Sequence, residues 1–353
     1  MHKELITHLF YRLFIAKPSG INKKIWEDPR DFDLGIFGWG ATYKPKHNHV
    51  LIKTKRVIDQ GSFNICQWCA STTAKEVEEN TILAERSLIC KGVEMGLVSG
   101  NGFSDLDAGD KVLKEWGIVD AEHFDNDYCY GNWYEFAKKQ VNTAEIKALA
   151  GLHKIASHWK LNKRGDILKL LDDGKVLKTA ILWFTGFNQG GGFAIRKFIM
   201  DRFVGYSVGG HCFVCIGYIL NFIGIDKFNK IVTGKGGRNV YVKQNSYGSQ
   251  WGQTIIDDDG TIYNGLFFSD MDFFDKQGWG FKATLDMPLD VAHFITDYNN
   301  MNVKAEGDSS VWYISQGKKH KYLTPLSLKK SGKDPMIVNK EILDKTPIGD
   351  NVK

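Results

Sequence analysis

The chain has 353 residues, 43% of them hydrophobic and 13% aromatic, with a formal net charge of +5 at neutral pH. That apolar content builds a packed core and excludes a disordered chain. The mild charge, with no stretch that interleaves arginine and aromatic residues, excludes a nucleic-acid groove, and six cysteines are too few for a disulfide scaffold.

Residues 1–56 read as an N-terminal arm. Met1 to Ala16 is expected to be a helix that stops at Lys17-Pro18-Ser19-Gly20. His8, Tyr11 and Arg12 interrupt its apolar run and no small-residue cleavage site follows, so it reads as amphipathic rather than as a signal peptide. No run is long enough for a membrane span, which leaves a cytoplasmic or a virion-associated setting open. Asp28 to Asp31 and Leu34 to Gly40 read as ordered loops.

Residues 57–160 read as mainly helical. Cys66 opens a run of helix formers from Ala70 to Arg86. Asp105 to Gly117 carries Leu106, Val112, Leu113 and Trp116 at helical spacing, and Asn142 to His158 reads as a further helix. Residues 161–285 read as a β half. A short helix over Gly165–Asp172 precedes a strongly apolar strand at Val176–Phe184, a loop at Asn188–Gly192, and strands at Cys212–Ile219, Asn239–Gln244 and Thr261–Phe268. Short strands with glycine-rich turns predict an antiparallel sheet or barrel. A helical half against a β half predicts an α+β protein with its site in the cleft between them. Residues 290–353 differ. Val311–Ile314 and His320–Leu323 read as strands about a turn at Gln316–Lys319, followed by Val338–Leu343 and Pro347–Gly349. This is a small β-rich attachment module or tail.

Three stretches carry chemistry. In Asp59-Gln60-Gly61-Ser62-Phe63-Asn64-Ile65-Cys66, a polar turn ends on a cysteine that opens a helix. The positive end of a helix dipole favours thiolate there. Gln60 lies where the turn can fold its amide beside the sulfur, to join the Cys66 N–H as a donor to an oxyanion. Gly209-Gly210-His211 places a histidine at the mouth of an apolar strand, and Gln244-Asn245-Ser246-Tyr247-Gly248 places an asparagine at the end of another. Cys66-Gln67-Trp68-Cys69 and Cys212-Phe213-Val214-Cys215 are formally two Cys-x-x-Cys pairs. One opens a helix and the other lies in a strand that sends its two residues to opposite faces, so a zinc site is set aside.

In the order Gln, Cys, His, Asn, with Gly-His before an apolar strand ending Gly217-Tyr218 and Asn-Ser-aromatic-Gly-x-x-Trp-Gly at 245–252, the chain resembles the papain-like cysteine peptidases. The resemblance implies a two-lobed fold, a helical lobe and a barrel-like β lobe. It implies peptide-bond hydrolysis by a Cys66–His211 thiolate–imidazolium pair, with Asn245 orienting the imidazole and Gln60 in the oxyanion hole. It also implies that Asn101, Gly102 and Gly210 line the substrate, that Trp251 shields the Asn245–His211 contact, that Tyr247 stands where tryptophan is usual, and that neither cofactor nor metal is needed. The family's Cys-Gly-Ser-Cys-Trp reads Phe63-Asn64-Ile65-Cys66-Gln67 here, so its usual disulfide is absent and the tryptophan comes one place late, at Trp68. The extra stretch Ile219 to Asn239 reads as a lengthened hairpin between the histidine and asparagine strands. The expected partner is a protein or peptide substrate. Two alternatives stand beside this reading. One is a papain-like part kept for structure or binding, assembled into a virion or cell surface through the arm or the C-terminal module. The other is a cell-wall peptide hydrolase, a class that needs neither the upstream glutamine nor the Asn-Ser motif.

Overall fold

The computed structural model describes residues 32–33, 43–128, 131–161, 163–188 and 199–286, with 301–305, 309–315, 318–322, 335–338, 343–344 and 348–350 of the C-terminal stretch. The expected helix at Met1–Ala16, the loops around Asp28–Gly40, most of Asn188–Gly192 and most of Val338–Gly349 lie outside the described residues.

Two short strands, β1 (Phe32–Asp33) and β2 (His49–Leu51), precede the central helix α1 (Cys66–Glu79). The helix is buried all round over Cys66–Glu76, with Trp68 facing away from Cys66 and Cys69 on the flank between them. Cys66, Ala70 and Ala74, spaced by four, share one buried cluster with strand residues, whereas Trp68 and Cys69 belong to a second cluster built from the other helices. That two-sided pattern is what a helix buried between a helical layer and a sheet requires. The run of helix formers expected to continue to Arg86 breaks instead at Asn80. This residue takes the left-handed conformation (φ 57°), and its N–H caps the Glu76 carbonyl. A separate helix, α2 (Glu85–Glu94), then begins. The hairpin β3 (Val98–Ser99) and β4 (Phe103–Ser104), and helices α3 (Ala108–Glu115), α4 (Trp133–Ala137) and α5 (Ala144–Gly151), complete the helical layer.

The helix expected over Asn142–His158 is also divided. Its second half is a strand, β5 (Ile155–Leu161). Ile155, Trp159 and Leu161 are buried, and so are Ala156 and His158 on the other face, so no alternation marks it as a strand. After α6 (Arg164–Asp172) come β6 (Leu177–Phe184), the single turn α7 (Thr185–Asn188), β7 (Ile199–Met200), β8 (Ser207–Ile225), β9 (Ile231–Thr233), β10 (Arg238–Gln244), β11 (Gln253–Ile256), β12 (Ile262–Asp270), α8 (Met271–Gln277) and β13 (Gly278–Asp286). The main sheet runs β1-β5-β13-β6-β8-β10-β12-β11, with β2 and β9 on β8 and β7 on β12. Its pairs are antiparallel except β1–β5 and β7–β12. The path is open among the described residues rather than closed into a barrel. The inserted stretch after Tyr218 prolongs β8 and folds back as β9, which pairs with it.

The last strands, β14 (Met301–Ala305), β15 (Trp312–Ser315), β16 (Lys318–Lys321) and β17 (Met336–Val338), form a separate four-stranded sheet in the order β16-β15-β14-β17. Val303 and Ile314 join the same buried cluster as Trp183 and Phe213 of the main sheet, so this stretch shares the core of the β half.

One staple joins the end of α1 to the loop before β5. His153 bonds through Nδ1 to Glu79 (2.5 Å) and through Nε2 to Asp120 (2.9 Å). Burial opposes its charge, but the two carboxylates outweigh burial and raise its pKa. A histidine whose folded pKa is raised stabilises the fold fully below its unfolded value of about 6.5, and that contribution is lost as pH rises through the folded value. The melting temperature is therefore expected to fall as pH rises through this window, and His153→Gln is expected to flatten the dependence. Calorimetry at stepped pH checks it.

Candidate active site

Cys66 is the first residue of α1. Ile65, at the N-cap, offers no side-chain acceptor, and no acidic residue occupies the first turn. The positive end of the helix is thus left for an anion at the sulfur. α1 packs across β8, which carries His211. The ring of Tyr247 stacks on His211 at 4.9 Å between centroids, and burial first, then the charge of Cys66, raises its phenol pKa. Cys66 and His211 are both fully buried, at 0% exposure.

The imidazole is held on three sides. Its Nε2 lies 2.7 Å from Asn245 Oδ1. Asn245 Oδ1 also accepts the Ser246 N–H (2.8 Å), so two donors fix which end of the amide faces the ring. Because Oδ1 can only accept, Nε2 carries the proton in this contact. Trp183 packs on the imidazole at 4.7 Å and Tyr247 on its stacked face. Trp183 pairs across the sheet with Gly209, which has no side chain, and this leaves room for the indole to lean toward His211. Trp251, partly exposed, packs edge-on against Tyr247 (5.5 Å) and lies 6.4 Å from Trp183. It is therefore an outer layer, and Trp183 and Tyr247 are the rings nearest His211, with Phe213 at 5.9 Å. Gly210 is buried beside His211, opposite Leu182 of β6.

The Gln60 turn is tied directly to the asparagine turn. Asp59 and Tyr247 form an isolated antiparallel bridge, and the Gln60 N–H donates to the Ser246 carbonyl (2.8 Å). The Gln60 side chain is buried. Its Oε1 accepts from the Ser246 hydroxyl (2.6 Å) and its Nε2 donates to the Phe63 carbonyl (2.8 Å). A carbonyl only accepts, which fixes the amide with its nitrogen toward the Phe63 carbonyl, and the second hydrogen of that nitrogen remains for another acceptor.

The Asn101–Gly102 segment lies along the same turn. The Asn64 N–H donates to the Asn101 carbonyl (2.8 Å), and Asn101 Nδ2 donates to the Ser62 carbonyl (3.2 Å). Gly102 has φ +98°, and a Cβ there would meet Ile65 Cγ2 at 2.7 Å and the Asn64 backbone at 3.2 Å. Only glycine lets this chain run so close to the residues before Cys66. Gly102→Ala is expected to cost about 1–3 kcal/mol. It should also loosen the segment from the turn, read as faster hydrogen exchange at the Asn64 amide together with a lower melting temperature.

Sequence reasoning named Cys66, His211, Asn245, Gln60, Asn101, Gly102, Gly210 and Trp251. It missed Trp183 and the orienting hydroxyl of Ser246. Ser246 had a signal, its place inside the Asn-Ser motif, whereas Trp183 was one apolar residue in an apolar strand.

No protein-family model and no curated protein matches the chain. Solved structures do. Xylellain, a cysteine protease from Xylella fastidiosa, superposes with a TM-score of 0.55 at 14% identity, over 78% of this chain and 100% of that one. Digestive procathepsin L 3 of the Tenebrio molitor larval midgut gives 0.48 at 12%, over 79% of each chain. Procathepsin B S9 of Trypanosoma congolense gives 0.46 at 11%, over 78% of this chain and 87% of that one. The fold is papain-like α+β, and the structures it resembles are papain-like cysteine proteases.

Proposed function

We propose that this chain is a cysteine-type peptidase in which Cys66 attacks a peptide carbonyl. The observation that carries the reading is the oriented imidazole, with His211 Nε2 bound to Asn245 Oδ1 at 2.7 Å beside the helix end that bears Cys66. With Nε2 committed to Asn245, Nδ1 pairs with the Cys66 sulfur, protonates the leaving amine and then activates the water that releases the acyl group. The helix terminus supports the thiolate. The Cys66 N–H and the second hydrogen of the Gln60 amide stabilise the oxyanion, and Ser246 keeps that amide turned the right way. Asn101, Gly102 and Gly210 offer backbone to an extended peptide, and Trp183, Tyr247 and Trp251 keep water from the His211–Asn245 contact.

A non-catalytic use of the fold is the second reading, and the complete burial of Cys66 and His211 favours it. One experiment separates the two. At neutral pH, iodoacetamide is expected to label Cys66 well before Cys90, whose thiol is pushed up to about 11 by burial, and an unfolded protein such as casein is expected to be cleaved. Equal labelling of the two thiols with no cleavage supports the non-catalytic reading and removes the peptidase.

A further inference from the structure

Cys66 does not stand alone at the head of α1. Cys69 follows one turn later in the same helix, and its N–H bonds to the Ile65 carbonyl (3.0 Å), so the first turn is regular. In an α-helix, residues three apart have Cα atoms about 5 Å apart, from a rise of about 1.5 Å and a turn of about 100° per residue. That falls inside the 4.4–6.8 Å window for a disulfide. Neighbouring Cβ atoms at this spacing lie about 5–6 Å apart and must close by about 1–2 Å to reach the disulfide separation. The closing falls at the helix end, where the first N–H groups have no intrahelical partner to resist it. A small cavity is lined by Cys69 together with Ala70, Thr73, Phe213 and Asn245. Neither cysteine is in a disulfide in this structure.

We infer that Cys66 and Cys69 form an oxidant-responsive dithiol, in which Cys69 resolves an oxidised Cys66 into a disulfide that blocks the nucleophile reversibly. The inference rests on the reading of Cys66 as the reactive thiolate. The oxidant is a hydroperoxide, the simplest being hydrogen peroxide. The Cys66 thiolate attacks the O–O bond and becomes a sulfenic acid, with hydroxide departing. The Cys69 sulfur then attacks the Cys66 sulfur, the S–O bond breaks, and the hydroxyl leaves as water with the Cys69 proton. The sum is two thiols and one peroxide giving one disulfide and two waters. The two thiols are unlike, as such a pair requires. Burial first, then the charges of Glu85 and Cys66, hold the Cys69 thiol well above its ordinary pKa, so it stays protonated and inert while Cys66 is a thiolate. Once Cys66 is an uncharged sulfenic acid, one of the charges that kept the Cys69 proton in place is gone. Without a resolving thiol, excess peroxide carries a sulfenic acid on to sulfinic acid, which dithiothreitol does not reverse.

The test uses the full chain and hydrogen peroxide, with free thiols blocked before digestion. Trypsin cuts after Arg56 and Lys75, so both cysteines fall in one peptide, Val57 to Lys75. In the wild type that peptide is expected to lose two hydrogens, and dithiothreitol is expected to restore both the free thiols and iodoacetamide labelling of Cys66. In Cys69→Ser and Cys69→Ala the same dose is expected to add two oxygens at Cys66 and to leave labelling unrecovered. If neither variant folds, the wild type alone decides by whether the Val57–Lys75 peptide carries the bridge. A bridge from Cys66 to Cys212, or two added oxygens on wild-type Cys66 at the rate seen in the variants, overturns the proposal. The mass readout does not need proteolysis: a bridged peptide from a protein that cleaves nothing sinks the peptidase reading and keeps this one, and the converse result does the reverse.

Discussion

Cys66→Ala is expected to reduce kcat by about four to six orders of magnitude while leaving the fold in place, because residues that act as one catalytic unit fail together. The sulfur is small and buried, so its loss should move the unfolding free energy by about 1 kcal/mol or less. His211→Ala should be nearly as inactive. It should also lower stability, since the imidazole fills the space between Trp183 and Tyr247 and its removal strands both rings. The informative variant is therefore the double one. If the two groups form a single ion pair, Cys66→Ala/His211→Ala is no less active than Cys66→Ala alone, although it melts earlier. If the two losses multiply, they act separately and the proposed mechanism fails. Asn245→Ala should fall between wild type and these variants. The ring loses the acceptor at Nε2 and the Ser246 N–H loses the same oxygen, yet the sulfur and imidazole remain. Hydrolysis of a fluorogenic peptide by purified variants, each first scored for melting temperature, measures all four.

The candidate site stands out in the sequence more than the fold around it does. Acyl transfer by a thiolate needs a sulfur at a helix end, an imidazole, an orienting amide and a donor for the oxyanion, and few residue types serve each role. Gln60, Cys66, His211 and Asn245 therefore stand out although 151 and 185 positions separate His211 and Gln60, and Asn245 and Gln60, in the numbering. Their neighbours do not stand out. Any bulky apolar residue at position 183 would satisfy the strand pattern, and only the pairing with Gly209 tells that this one reaches over His211. The fold was misread in two places, for opposite reasons. At Asn80 a single left-handed residue ends a run that helix propensity alone would carry to Arg86. At Ile155–Leu161 the strand is covered on both faces, so the period-two signal that identifies a strand is erased and the sequence reads as a continuation of the alanine-rich helix before it.

The lobes are also joined by charge, which hydrophobic patterning does not reveal. Asp110 of α3 and Lys178 of β6 form a buried ion pair, with side-chain exposures of 1% and 3%. The ammonium donates to Asp110 Oδ2, to the Leu106 carbonyl (2.9 Å) and to Ser71 Oγ (3.1 Å), and the Ser71 hydroxyl donates to Asp110 Oδ1 (2.9 Å). Every hydrogen of the ammonium thus has an acceptor. Asp110→Ala removes two of the network's contacts and leaves Lys178 charged between α1 and the sheet, so it is expected to cost about 3–5 kcal/mol. Asp110→Leu/Lys178→Met removes both charges together and is expected to recover most of that loss, because the pair repays its own desolvation and little more. Burial pushes the Asp110 carboxyl up, but Lys178, with His158 and Lys282 behind it, outweighs burial and holds it below the usual aspartate range. An acid whose folded pKa is depressed contributes stability that is present above its unfolded value of about 3.9 and lost as pH falls through the folded one. Urea unfolding at neutral pH and again near pH 3 separates the terms. Wild type is expected to lose its advantage over the single variant at the acid end, while the double variant stays comparatively level. If Asp110→Ala and the double variant unfold at the same urea concentration at neutral pH, Lys178 was not left stranded and the inter-lobe ion pair does not hold the halves together.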